Sequence, residues 1–108
     1  DILSTRVKKE DGYYQDKKYI KMAGHTAYAG VLVALDALLK QKKGRKSIEW
    51  YKEELSEIDR KILNRLDSVY EQLHLVMGYD GHGKESIVKE GFSDAEKIIE
   101  WVEIRLAA

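Results

Sequence analysis

Residues 58–86 read IDRKILNRLDSVYEQLHLVMGYDGHGKES, and the fold turns on how the two halves of this stretch are joined. Its end, GYDGHGKES (78–86), sets Gly78, Gly83 and Lys84 in register with the phosphate-binding pattern G-x-x-x-x-G-K-[ST]. Such a loop follows a strand and opens a helix, so it would make the chain an α/β protein. The preceding residues contradict that. Ile58, Ile62, Leu66, Val69, Leu73 and Val76 recur at intervals of three and four, which predicts an amphipathic helix with a bundle-type seam over residues 57–77. Glu85 also stands where a magnesium-coordinating hydroxyl is required, and its charge would repel phosphate. The stretch is therefore expected to be a helix ending at a Gly78 C-cap, with Gly81 and Gly83 permitting a tight turn.

Working back from there, a longer helix is expected over residues 16–42. Ile20, Ala23, Ala27, Val31, Ala34 and Leu38 form one stripe, and Tyr28, Leu35 and Leu39 form a second. Between Ala27 and Leu39 only Asp36 is charged, so the helix is apolar nearly all round and belongs in the middle of the domain. Gly24 and Gly30 each cost about 1 kcal/mol in a helix interior and so suggest close packing, inside the bundle or across a dimer. Gly44 reads as the C-cap of this helix and Ser47 as the N-cap of a short one, with a bend near Ser56 where Ser56-x-x-Asp59 resembles a capping box. A last helix is expected over residues 84–107, with Val88, Phe92, Ala95, Ile99, Val102 and Leu106 inward and a kink or restart at Gly91–Ser93. Residues 1–9 read as the last turns of a helix, and no strand pattern is found.

The composition agrees. The 108 residues include no Pro, one Phe and only two Thr, Thr5 and Thr26; 44% are apolar and 35% charged. That balance gives one soluble all-α domain, an up-and-down bundle of four or five helices. With no Cys, disulfides, thiolate metal sites and a cysteine nucleophile are excluded. No signal-peptide pattern opens the sequence, and the run from Ala27 to Leu39 is too short to span a bilayer. A cytoplasmic location and no membrane partner are expected. Net charge is zero, which disfavours a generic nucleic-acid binder, yet residues 1–46 carry 11 Lys/Arg against 5 Asp/Glu and residues 47–108 carry 8 against 14. Basic and acidic helices side by side explain this, as does a self-complementary dimer.

Candidate sites are few. Tyr79, Asp80, His82 and Lys84 place four functional side chains on one turn, a contact patch for a partner. Lys40, Lys42, Lys43, Arg45 and Lys46 put five cations in seven residues; they suit an anion or RNA, but read first as a helix C-terminus and its solvated turn. His74, Asp80 and His82 are the best approach to a two-His, one-carboxylate metal set, but match no ligand signature, so no metal and no cofactor are assigned. Asp67, Tyr70 and His74 form a polar stripe that could line a groove but is expected to be a solvated flank. No catalytic set is complete.

The stretch AGHTAYAGVLVALDALL (23–39) resembles the second helix of HEPN domains (higher eukaryotes and prokaryotes nucleotide-binding), and AEKIIEWVEIRL (95–106) resembles their last. EDGYYQDKKYIKMAGHTAYAGVLVALDALL (10–39), with GRKSIEWYKE (44–53) and MGYDG (77–81), is similar to a small bacterial family catalogued as a domain of unknown function. The HEPN resemblance implies a bundle, commonly dimeric, in which some members are ribonucleases with an R-x(4–6)-H motif and others pair with nucleotidyltransferases or only bind partners. Here Arg65 and His74 are separated by eight residues, so no catalytic residue carries over. The sequence therefore points to a non-enzymatic, self-associating interaction module. An RNA- or nucleotide-binding protein of toxin–antitoxin type is the alternative.

Overall fold

The computed structural model describes residues 9–10, 13–14, 16–39 and 46–108. Helix α1, Lys17–Leu39, is announced by Asp16, whose carboxylate accepts from the Lys18 N–H at 3.0 Å. The expected Gly44 cap lies outside the described residues. Ser47 caps α2, Ile48–Ser56, by accepting from the Trp50 N–H, as its position before the helix predicts. The bend comes at residues 57–59, directly after Ser56, where it was expected. There Asp59, not Ser56, takes the cap position of α3, Arg60–Val69, accepting from Lys61 and Ile62 N–H. A carboxylate is the stronger partner for the positive end of a helix.

Helix α3 continues without a break as a π-helical segment, Tyr70–Tyr79. Gly78 is thus inside the helix and does not cap it. Asp80 follows the last turn, its N–H donating to Leu75 C=O at 3.1 Å, and Gly81 turns the chain with φ +66°. That left-handed conformation needs glycine. After the loop, α4 runs over Glu85–Ala107, continuous through Gly91, Phe92 and Ser93 where a kink was expected. Gly91 serves packing instead: a Cβ there would lie 2.7 Å from Leu73 Cδ2. So a helix, not a strand, precedes the glycine-rich loop.

The three long rods run antiparallel in sequence. Gly24 of α1 meets Leu73, Met77 and Gly78, while Tyr28 meets Tyr70. Asp94 of α4 meets Arg65 and Ser68 of α3. α1 and α4 are therefore parallel to each other, and short α2 packs on α3, with Lys52 and Asp67 paired at 2.7 Å. The shared core comprises Ile20, Val31 and Leu35 of α1, Leu55 of α2, Leu66 and Val69 of α3, Leu73 and Met77 of the π segment, and Val88, Ile98 and Val102 of α4. Several expected core positions shift. Ile58 precedes the α3 cap and is exposed, Met77 replaces Val76, Ile98 is deeper than Phe92 and Ile99, and Leu106 is exposed at the end of α4.

One short ladder corrects the strand-free expectation. β1, Lys9–Glu10, pairs antiparallel with β2, Tyr13–Tyr14, in the register Lys9 to Tyr14 and Glu10 to Tyr13. Lys9 is therefore extended rather than helical; the remainder of the expected N-terminal helix lies outside the described residues. The domain remains all-α.

Candidate functional site

The predicted contact turn is only partly free. Tyr79 is exposed, but its ring lies edge-on to His25, with centroids 5.4 Å apart, and to His74, at 4.9 Å. Asp80 and Lys84 are exposed, and His82 is half-buried. The metal set is not assembled: no group of three His, Asp or Glu side chains among the described residues could hold an ion. The reason is local. The His74 ring stacks on Tyr28 at 4.5 Å, on the α1 side, and Asp80 and His82 lie beyond the end of the π segment. Of the five cations in the basic run, Lys40, Lys42, Lys43 and Arg45 lie outside the described residues. Lys46 is placed, and its ammonium lies 3.3 Å from Asp36 and 5.8 Å from the Trp50 ring centre.

What the π winding does is bring aromatic rings together. With about 4.4 residues per turn, the result of i→i+5 bonding, Tyr70, His74 and Tyr79 fall within a narrow sector of the helix. In an α-helix, nine residues amount to about 180° beyond whole turns, and Tyr79 would face away from Tyr70. The result is a continuous cluster: His74 lies 5.2 Å from Tyr70 and 5.5 Å from His25, and Tyr28 lies 5.9 Å from Tyr70. Burial within this cluster, then electrostatic repulsion by the neighbouring His25, lowers the pKa of His74, so the imidazole is neutral near pH 7. Its Nδ1 is buried with no hydrogen-bond partner among the described residues. Burial, with smaller contributions from Tyr70 and Glu49, pushes the Tyr28 hydroxyl up to about 12.

Tyr28, Tyr70 and His74 form one wall of a pocket of about 490 Å³ between α1, α2 and the π segment. Across it, Tyr51 donates its hydroxyl to Asp36 Oδ1 at 2.7 Å, where Lys46 also approaches. Burial, then this bond to the carboxylate, raises the Tyr51 pKa. The described partners of Asp36 come from Lys46 and α2. The polar stripe is split. Tyr70 and His74 line the pocket, while Asp67 pairs with Lys52 on the surface, and this hydrogen bond raises the Lys52 pKa. The i, i+4 spacing of Tyr70 and His74 was a readable signal. Tyr51 was not, because its place depends on how α2 folds back.

On the other side of α1 a second groove, about 530 Å³, is floored by Ala27 and Gly30 and flanked by Glu96, Glu100 and Glu103 of α4. A Cβ on Gly30 would meet nothing within 4 Å. The Ala27–Leu39 run alone is too short to span a bilayer, but it is part of the longer helix α1. Its 23 residues are long and apolar enough to cross a membrane by length and composition, and only 28% of its most apolar stretch is buried within the domain.

No curated protein matches the chain. A protein of unknown function from Dyadobacter fermentans shares this fold with a TM-score of 0.91 and 59% sequence identity, over 98% of this chain and 84% of that one. A family model matches residues 1–104, and on that match the chain belongs to DUF5618, a domain of unknown function.

Proposed function

We propose that this domain is a helical interaction module that binds rather than catalyses, and that the exposed face of α1 docks against a second copy. One observation carries the reading. Between Lys21 and Asp36, no exposed residue of α1 is an Asp, Glu, Lys or Arg: they are Met22, His25, Thr26, Ala29, Gly30 and Val33. Met22, Thr26, Ala29 and Val33 recur at the intervals of a helix–helix seam, and Ala29 and Gly30 are small enough for a neighbouring helix to come close. Val33 is 69% exposed, an unfavourable state for a β-branched apolar side chain that a packed seam would relieve.

Charge selects the arrangement. Lys17, Lys18 and Lys21 are exposed at the start of α1, and Glu100 and Glu103 are exposed toward the end of parallel α4. Two copies related by a two-fold axis, with antiparallel α1 helices, bring the basic end of each beside the acidic end of the other. Thr26→Glu puts a charge in the middle of the seam at an exposed position. Sedimentation velocity should show a dimer for the wild type and a monomer for Thr26→Glu, with unchanged far-UV circular dichroism. A wild-type monomer at about 100 μM, well above the range of specific dimers, would refute the reading. So would liposome binding by the monomer that Thr26→Glu abolishes, which would assign the face to a bilayer.

A further inference from the structure

We propose that the pocket between α1, α2 and the π segment binds a small planar ligand that is uncharged overall and carries adjacent hydrogen-bond donor and acceptor groups, as a primary amide on an aromatic ring does. Its volume, about 490 Å³, lies within the range of small-molecule sites, about 300–1,000 Å³. The charges lining it cancel: Asp36 and Lys46 lie 3.3 Å apart. An anion drawn to Lys46 meets the Asp36 carboxylate, and a cation drawn to Asp36 meets the Lys46 ammonium. A neutral group with a donor beside an acceptor is compatible with both.

The polar atoms ask for such a group. Both described partners of Asp36, the Tyr51 hydroxyl and the Lys46 ammonium, act on Oδ1, which leaves Oδ2 as an acceptor. The Tyr28 and Tyr70 hydroxyls make no hydrogen bond to the described residues, and each can donate or accept. The wall asks for a flat body. Tyr28 and His74 are stacked within 24° of parallel, Tyr70 flanks them, and Leu32 and Ile48 complete an apolar lining against which a ring is sheltered from water. This site does not depend on self-association, although Ala29 and Val33 belong to both its rim and the seam.

Three fragments with one ring and different charge test it: benzamide, benzoate and benzamidinium, titrated into the ¹⁵N-labelled protein. The same titration in Thr26→Glu separates ligand binding from association, because that variant leaves the pocket intact. Benzamide should give saturable shifts at Tyr28, Tyr51, Tyr70 and His74 in both proteins, with a millimolar dissociation constant appropriate to a fragment. It should bind about fivefold tighter than either charged analogue, the scale of one partly screened ion contact. Asp36→Asn keeps an acceptor for Tyr51 but removes the negative charge of the lining. There benzoate should gain affinity relative to benzamidinium. Tyr70→Leu, at a half-buried position, should weaken benzamide about fivefold while the melting temperature stays within a few degrees. Equal affinity for all three fragments, shifts confined to residues away from the pocket lining, or no saturation with benzamide would each overturn the proposal.

Discussion

Gly24 and Gly30 sit six residues apart in one helix, and the structure gives Gly→Ala opposite signs at the two. At Gly24 the added Cβ would lie 2.5 Å from the Leu73 carbonyl oxygen, 2.8 Å from Met77 Cβ and 3.0 Å from the Gly78 nitrogen. Two of these three atoms are backbone of the facing rod and cannot swing aside, so α1 and the π segment must separate by about 0.5 Å to reach the shortest contacts that Cβ atoms make. That separation loosens Leu73 and Met77, both fully buried. Overpacking of this kind costs about 3 kcal/mol at the upper end of its range. The gain in helix propensity returns about 1 kcal/mol. Gly24→Ala should therefore lose about 2 kcal/mol, a fall in melting temperature of roughly 10 °C for a domain of this size. Gly30→Ala meets open space and keeps only the gain, about 1 kcal/mol. Urea unfolding followed by tryptophan fluorescence, at low micromolar protein so that association does not contribute, gives both values. A neutral or stabilising Gly24→Ala would show that the close approach of the two rods is not real.

Other expectations follow from particular contacts. Asp94 accepts from Arg65 at 3.0 Å and from Ser68 at 2.7 Å in a largely buried position, so Asp94→Ala should lower the urea midpoint by the equivalent of about 2 kcal/mol with an unchanged slope. Lys52 and Asp67 are both about half exposed, so Lys52→Ala should cost about 0.5 kcal/mol or less by the same measurement. His74 is held neutral by burial, so the unfolded chain binds a proton more readily than the folded one. Its contribution is complete above the ordinary imidazole pKa of about 6.5 and is lost as pH falls through the lowered folded value. His74→Phe keeps a ring against Tyr28, removes the buried unpartnered Nδ1, and should raise stability while flattening its dependence between about pH 7.5 and 5. A variant that tracks the wild type across this range would show that His74 titrates as it does in water.

Most of the architecture was written in residue spacing. The stripes in residues 16–42, 57–77 and 84–107 specify helices because every third or fourth side chain must leave water together. The absence of Pro and the glutamate at position 85 ruled against the α/β alternative. Local capping was legible where a single side chain satisfies a single turn, as at Ser47. What periodicity could not supply was phase and assembly. An α-helical count carries Tyr79 away from Tyr70, and only the wider π turn gathers Tyr70, His74 and Tyr79 on one side. The pocket is a product of three elements distant in sequence. Its central bond, Tyr51 to Asp36, exists because α2, packed on α3, brings Tyr51 to the side of α1, and no local pattern encodes that placement. Spacing told which faces of each helix are apolar. Which apolar face of α1 is covered and which is left open was decided by the number of neighbours the bundle provides: the π segment and α4 enclose one side, and Met22, Thr26, Ala29 and Val33 remain on the other.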